Sequence, residues 1–160
     1  MNNIIVNLHE VIDQETINLS IKASTKEEVI GKLADMLKGQ GRIAEKEAFI
    51  EDVLKREMLE TTNMGMGVAI PHAKSPSVIK DTVAIARLCE PMTWHSLGED
   101  APVRVVILLA VADNENQNTI HMELISKVAS LLLNKTFLNA LFTTERKSDL
   151  IDQIYKLLEK

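Results

Sequence analysis

The residues best suited to chemistry lie in the segment 63–74, which reads Asn-Met-Gly-Met-Gly-Val-Ala-Ile-Pro-His-Ala-Lys. Two glycines, Gly65 and Gly67, precede a short apolar strand that ends at Pro71. Proline lacks the backbone N–H that would continue a sheet ladder, so we expect the chain to leave the sheet there. His72 is therefore predicted at the end of a strand, on a turn that presents its side chain to solvent.

A histidine in such a position suits the relay of a phosphoryl group. A neutral imidazole nitrogen is a good nucleophile near neutral pH, and the phosphoramidate keeps a high transfer potential, whereas serine would give too stable an ester. The transition state spreads negative charge over the phosphoryl oxygens, so hydrogen-bond donors must lie nearby. The candidates are Arg56, Thr62, the amides of the glycine turn and His121, which stands near the expected positive end of a helix.

Two helices are predicted ahead of this segment. Thr25 and Glu28 have the spacing of a capping box, in which a hydroxyl accepts from a backbone N–H and the carboxylate returns a bond. Apolar residues recur behind them at helical spacing and predict a helix over 26–38. A second helix follows, with Arg56 in its last turn. Its apolar face is formed by Phe49, Ile50, Val53, Leu54 and Met58.

The remaining elements are strands and then helices. Segments 67–70, 82–88 and 103–110 have the composition of strands, and the last is nearly all aliphatic, as a strand covered on both faces would be. From about residue 119 the apolar spacing is helical again. The chain contains no internal repeat, low-complexity tract or linker, so residues 1–160 are predicted to form one α/β domain with a sheet between helices.

The composition narrows the functional classes. Of the 160 residues, 46% are hydrophobic and 26% are charged, which argues against a disordered chain. The net charge is −5 and no cluster of Lys and Arg is interleaved with aromatic residues, so nucleic acid is not expected as a partner. The four histidines lack the short-range pairs of a zinc site, so no metal is expected, and His9 and His95 are predicted to be structural or exposed.

The sequence also favours a cytoplasmic location without direct membrane insertion. The N-terminus has no basic region followed by a long apolar stretch. The longest apolar run, 103–112, contains Arg104 and is shorter than the roughly 20 residues that span a bilayer. Cys89 is the one cysteine, so no internal disulfide can form, and its apolar neighbours predict a buried, inert thiol in a reducing compartment.

These motifs together resemble a known family. The matching residues are Arg56-Glu57, then 62–67, then Ala69-Ile70-Pro71-His72, and later the aliphatic strand 105–111 and His121 followed by Leu124. They are similar to the phosphorylation-site signature of the enzyme IIA domains of the sugar phosphotransferase system, fructose and mannitol class, which includes nitrogen-regulatory members. The resemblance spans essentially the whole chain. It implies a central mixed β-sheet of about five strands, flanked by helices on both faces.

The resemblance also implies roles for single residues. His72 would accept a phosphoryl group from the histidine-containing phosphocarrier protein, HPr, and pass it to an enzyme IIB domain that serves a membrane enzyme IIC permease. His121 would support and orient the reaction, and Arg56 would stabilise the phosphoryl group. Thr62 and the amides of Gly65 and Gly67 would bind its oxygens. No cofactor is implied.

Two positions depart from the family pattern. Asn63 stands where the family commonly has glycine, and Ala73 stands where glycine often follows the active histidine. Asparagine tolerates a left-handed conformation, so Asn63 is expected to make the same turn, whereas Ala73 is less suited to a positive φ. Met64 and Met66, beside the glycines, form either an apolar patch for protein partners or part of the core.

The sequence leaves several functions open. The first is a phosphocarrier for the uptake of a fructose-like or related sugar, and the second is a nitrogen-type regulator whose phosphorylation state controls protein partners. A metal-dependent hydrolase using His72 and His121 would need a carboxylate or a third histidine, which no spacing supplies. A binding module of the same fold, in which His72 does not react, is the last alternative. Sequence alone does not separate sugar transport from regulation, nor does it name the sugar.

Overall fold

A computed structural model describes residues 11–59, 62–95, 100–113 and 117–158, apart from the side chains of residues 117–121 and 158. The strands are β1 (Ile17–Ile21), β2 (Val68–Ala69), β3 (His72–Ser75), β4 (Thr82–Trp94) and β5 (Ala101–Ala112). The described helices are α1 (Lys26–Gly39), α2 (Lys46–Leu59), α3 (Gln117–Leu132), α4 (Lys135–Thr143) and α5 (Lys147–Leu158). A short 3-10 turn, Gln14–Thr16, precedes β1.

The strands form one mixed sheet in the order β1, β4, β5, β2, and β3 also pairs with β5. Strands β4 and β5 are antiparallel, while β1 runs parallel to β4 and both β2 and β3 run parallel to β5. Along the same edge of β5, Val68 of β2 lies opposite Val105 and His72 of β3 lies opposite Leu109. In β2 and in β3, the paired residue of β5 lies the same number of positions further along the chain, so the register does not change between the two strands. The expected mixed sheet of about five strands is confirmed.

Helices cover both faces of the sheet. Alternate residues of β5 enter two separate cores: Ile107 and Leu109 belong to the core beneath α3, α4 and α5, whereas Leu108 and Ala110 belong to the core beneath α1 and α2. A strand covered on both faces must be apolar on both, which accounts for its aliphatic composition. The predicted sheet between helices is thereby confirmed.

The hydroxyl of Thr25 caps α1 as predicted, but the Glu28 carboxylate bonds to hydroxyl groups and not to the backbone N–H expected in a capping box. The hydroxyl of Thr25 accepts a hydrogen bond from the Glu28 N–H at 3.2 Å, and the Glu28 carboxylate accepts from the hydroxyl of Ser24 at 3.2 Å. The helix ends at Gly39, and Arg56 lies in the last turn of α2 as expected. None of the described helices combines the length and the apolar run that crossing a bilayer requires.

The sheet differs from the sequence prediction in several places. Strands β1 and β3 were not predicted, and β4 extends to Trp94, which is fully buried. The prediction that Cys89 is buried is wrong, because the side chain is exposed. Cys89 lies between Arg87 and Met92, where the register of β4 against β5 shifts, so the local alternation of faces does not follow a regular strand. His95 is exposed.

Replacing Gly67 with alanine is expected to lower the free energy of unfolding by about 1–2 kcal/mol, because its φ of +77° strains an L side chain. The added Cβ would also lie 3.2 Å from the ring of Phe142. Gly31→Ala is the matched control, since Gly31 lies inside α1 and its added Cβ meets nothing within 4 Å. That variant should gain up to about 1 kcal/mol. Urea unfolding measures both, and equal effects would contradict the structure.

Candidate functional site

His72 is the first residue of β3 and lies opposite Leu109 on β5. The N–H of Leu109 donates to the carbonyl of Pro71 at 3.0 Å, so the ladder continues past the proline. Only 6% of the His72 residue is exposed. The expectation of an exposed histidine on a turn is therefore wrong. Proline removes a backbone donor but keeps its acceptor, and on the edge of a sheet that acceptor is enough to hold the chain in place.

The backbone fixes the tautomer of the His72 ring. Its Nδ1 lies 2.9 Å from the carbonyl oxygen of Ile70. A carbonyl oxygen accepts hydrogen bonds and never donates them, so Nδ1 must carry the proton. In the neutral ring the lone pair then lies on Nε2. The strand thus assigns the two ring nitrogens different tasks, one holding the ring and one able to act as a nucleophile.

The environment keeps this ring neutral. Burial lowers the pKa of His72 from its ordinary value of 6.5, and the positive charge of Arg56 lowers it further, whereas the Ile70 carbonyl and the negative charge of Glu57 raise it. Lowering the pKa of a buried histidine means that the folded state binds its proton less readily than the unfolded state does. The neutral ring therefore contributes fully to the free energy of unfolding above pH 6.5. That contribution is lost as the pH falls from 6.5 through the lower pKa that His72 has in the folded protein.

Glu57 is a buried carboxylate beside Arg56 in the last turn of α2, and sequence analysis gave it no role. Its Oε1 accepts from the hydroxyl of Thr62, and its Oε2 accepts from the indole N–H of Trp94 at 3.3 Å. The Nζ of Lys26 lies 4.0 Å from the same Oε2. A signal was present in the sequence, because Glu57 follows the buried Val53 by one helical repeat and so falls on the apolar face of α2.

The segment that contains Gly65 and Gly67, called the glycine loop below, begins at Thr62 and forms a tight hairpin that leads into β2. The carbonyl of Thr62 accepts from the Ile70 N–H at 2.9 Å, and the Met64 N–H donates to the Val68 carbonyl at 2.8 Å. At the tip, Gly65 has a φ of +80°. Glycine is required there because other residues adopt this conformation only at a cost. The hairpin therefore ties the start of the loop to the strand segment directly before His72.

The other loop residues that the sequence singled out behave as follows. The Thr62 hydroxyl donates to Glu57 and is thus committed to a protein partner. Asn63 accepts the Gly65 N–H on its side chain at 2.8 Å. Among the residues that the structure describes, glycines alone have a positive φ, so neither Asn63 nor Ala73 adopts the left-handed conformation considered for them. Ala73 instead pairs with Ala110 as an ordinary strand residue.

His121 belongs to α3, and its side chain lies outside the described residues. Leu124 and Val128 of the same helix share a core with Leu109, the residue opposite His72. The helix that carries His121 therefore covers the face of the sheet on which Leu109 lies. Within the described part of the chain, no group of three or more His, Cys, Asp or Glu residues could hold a metal ion.

Large apolar side chains are exposed on the glycine loop and at the end of α2. Met64 and Met66 on the glycine loop are 41% and 37% exposed, so the interpretation of these residues as core is wrong. Met58 and Leu59, at the end of α2, are more exposed still. An open groove beside them runs between α2 and β3. Its lining residues are Asp52, Lys55, Arg56, Met58, Leu59, Ala73 and Lys74.

The fold and this site define the class of domain. Residues 10–157 match the family described as "Phosphoenolpyruvate-dependent sugar phosphotransferase system, EIIA 2". The chain therefore belongs to the EIIA 2 family of the phosphotransferase system, whose domains are phosphotransfer components.

Three similar proteins illustrate the range of the family. The chain is 32% identical over 145 residues, 91% of its length, to the fructose-specific EIIABC component of Bacillus subtilis (strain 168), and it spans 22% of that relative. The nitrogen regulatory protein IIA-Ntr of Neisseria meningitidis is 25% identical, with a TM-score of 0.76 over 86% of this chain and 92% of that one. The IIAMTL of Escherichia coli, solved in a complex with phosphorylated IIBMTL, is 26% identical, with a TM-score of 0.71 over 92% and 96%.

The pKa of His72 is expected to lie below 6.5 and to rise when Arg56 is replaced by methionine, because a positive charge that disfavours the imidazolium is removed. An NMR titration of the ring signals measures this pKa. Lys55→Met is the matched control on the same helix, since Lys55 is exposed and paired with Glu51. A His72 pKa at or above 6.5, or one that shifts equally in both variants, would contradict the arrangement.

Proposed function

We propose that this chain accepts a phosphoryl group on Nε2 of His72 from the phosphohistidine of HPr and passes it to an enzyme IIB partner. The observation that carries the proposal is the hydrogen bond between Nδ1 and the Ile70 carbonyl, which leaves the lone pair of the neutral ring on Nε2. Membership of the EIIA 2 family supports the same chemistry. The low pKa of His72 supports it too, because a neutral ring is the nucleophilic form.

The transfer step balances without any further reactant. The Nε2 lone pair forms the new N–P bond as the N–P bond of the donor histidine breaks, and the donor ring leaves with that electron pair. The proton on Nδ1 of His72 stays hydrogen-bonded to Ile70, so the phosphorylated ring is cationic. A cationic ring is a good leaving group in the second transfer, to enzyme IIB. The strand thus holds the ring in one orientation for both steps.

The surrounding residues take the roles that the family resemblance implies. Arg56 neutralises charge that builds on the phosphoryl oxygens, and His121 orients the group from α3. The amide of Gly67 supplies a further donor, whereas the Gly65 N–H must first release the Asn63 side chain, to which it donates at 2.8 Å. Thr62 is assigned to the same site, but its hydroxyl is engaged by Glu57, so we expect it to act on the position of the loop.

The exposed methionines suit partners that must bind and leave. Met64 and Met66 lie on the loop before His72, and Met58 and Leu59 line the groove that also contains Ala73. Flexible side chains of this kind can adapt to both a donor and an acceptor, and a modest interface allows rapid exchange. A relative of this fold forms a complex with a phosphorylated IIB protein, which supports enzyme IIB as the acceptor. We place these steps in the cytoplasm.

The sugar served by the partner permease is proposed to be fructose-like. This rests on the fructose specificity of the Bacillus subtilis relative. The alternative is a nitrogen-type regulator whose phosphorylation state controls other proteins, which the likeness to the Neisseria IIA-Ntr favours. A chain that serves transport should donate its phosphoryl group to a fructose-class IIB protein, whereas a regulator should retain it in the same mixture.

Incubation with enzyme I, HPr and phosphoenolpyruvate should add one phosphoryl group to the wild-type chain and none to His72→Ala, because the nucleophilic nitrogen is missing. Intact mass spectrometry under alkaline conditions measures the gain, since phosphohistidine is labile to acid. His95→Ala is the matched control, because His95 is an exposed histidine paired with Asp100 and should leave the gain unchanged.

A wild-type chain that gains nothing from an active donor would overturn the carrier function. The better interpretation would then be a binding module of the same fold in which His72 does not react. Phosphorylation that persists in His72→Ala would show that another residue is the acceptor.

A further inference from the structure

Glu57 is a charged side chain that is almost wholly removed from solvent, and the transfer step described above gives it no part. The residue is 4% exposed and its side chain 1%. Burying a carboxylate is costly unless partners compensate for the lost water. The positions of those partners therefore indicate what the carboxylate holds together.

The partners of Glu57 come from separate segments. Thr62 begins the glycine loop, Trp94 ends β4 and Lys26 begins α1. Lys26 also lies 6.0 Å from the centre of the Trp94 ring and donates to the carbonyl of His95 at 2.6 Å. The ends of a helix, a strand and a loop thus meet at one carboxylate, which itself lies in the last turn of α2.

A continuous chain of hydrogen bonds leads from this carboxylate to the active imidazole. The hydroxyl of Thr62 donates to Glu57, the Ile70 N–H donates to the carbonyl of Thr62 at 2.9 Å, and Nδ1 of His72 donates to the carbonyl of Ile70 at 2.9 Å. Each bond is made by a buried group, so none is readily exchanged for a bond to water. On the other side, Glu57 directly follows Arg56 in the helix.

We infer that Glu57 is a positioning residue for phosphoryl transfer at His72: through Thr62 and Ile70 it fixes the imidazole relative to the α2 turn that carries Arg56. The inference rests on the proposed function. It goes beyond that function because the residues that touch the phosphoryl group do not include Glu57. The charges that face His72 agree with this arrangement, since Arg56 lowers the pKa of the ring, Glu57 raises it, and Lys26 is paired with Glu57.

Glu57→Gln tests the inference. A side-chain amide accepts hydrogen bonds at its oxygen alone, so glutamine can keep the bond from Thr62 or the bond from Trp94, but not both. The rate of phosphoryl transfer from HPr should fall by about tenfold at the plateau of its pH profile, as expected for the loss of a hydrogen bond to a charged group. The acid limb of the profile should move to lower pH, because a charge that raises the pKa of His72 is removed. Glu51→Gln, the same change at an exposed position of α2, should alter neither.

The direction of the rate change separates positioning from simple charge. Removing a negative charge near His72 would by itself favour the approach of a phosphoryl group, so an unchanged or faster rate in Glu57→Gln would overturn the inference. An acid limb that stays in place would also overturn it, because a purely structural residue would leave the titration of His72 unaltered.

A second variant guards against misfolding of the first. Trp94→Phe removes the indole N–H and keeps the charge of Glu57. It should slow transfer by about threefold, less than Glu57→Gln does, because the carboxylate keeps its bond from Thr62. Rates are compared on the folded fraction, which thermal unfolding measures for each protein. No slowing in Trp94→Phe would count against the inference even if Glu57→Gln does not fold. The wild-type protein distinguishes the two failures. If the proposed function is wrong, the wild type accepts no phosphoryl group, whereas if only this inference is wrong, the wild type is phosphorylated and the variants are not slowed.

Discussion

The central strand β5 is hydrogen-bonded along both edges and covered by helices on both faces. One edge pairs with β4, and the other edge holds β2 and β3 in a single register. Buried backbone groups have no water to bond instead, so this pairing cannot slip without leaving donors and acceptors unsatisfied. The position of His72 opposite Leu109 follows from this constraint, and the orientation of its ring follows from the carbonyl of Ile70 next to it.

Strand β3 lies at an outer edge of the described sheet, where charged residues of α2 approach His72. The layer of α1 and α2 brings Arg56 and the buried Glu57, and the layer of α3 to α5 includes the helix that carries His121. At this edge the burial of His72 favours the neutral imidazole, and Arg56 and Glu57 place charges close to it.

The sequence could indicate the layers because their apolar spacing is regular, and it could indicate the site because glycine, proline and histidine stand together. It could not indicate β3, since His72–Ser75 is short and partly polar and becomes a strand only by pairing with a distant segment. The burial of His72 was missed for the same reason. The hydrogen bonds of Glu57 were missed because Thr62 and Trp94 approach it through tertiary structure, although its place on the apolar face of α2 was visible in the sequence.

The hairpin before β2 is closed by pairs on both sides of its tip, between Thr62 and Ile70 and between Met64 and Val68. Residues added or removed at the tip, between Met64 and Val68, would change the surface that carries Met66, while His72 would keep its place in the sheet. The exposed tip of the hairpin can therefore vary in sequence and length independently of the strand that holds His72. Diverging copies of such a domain could change the exposed tip of one loop without moving the buried histidine.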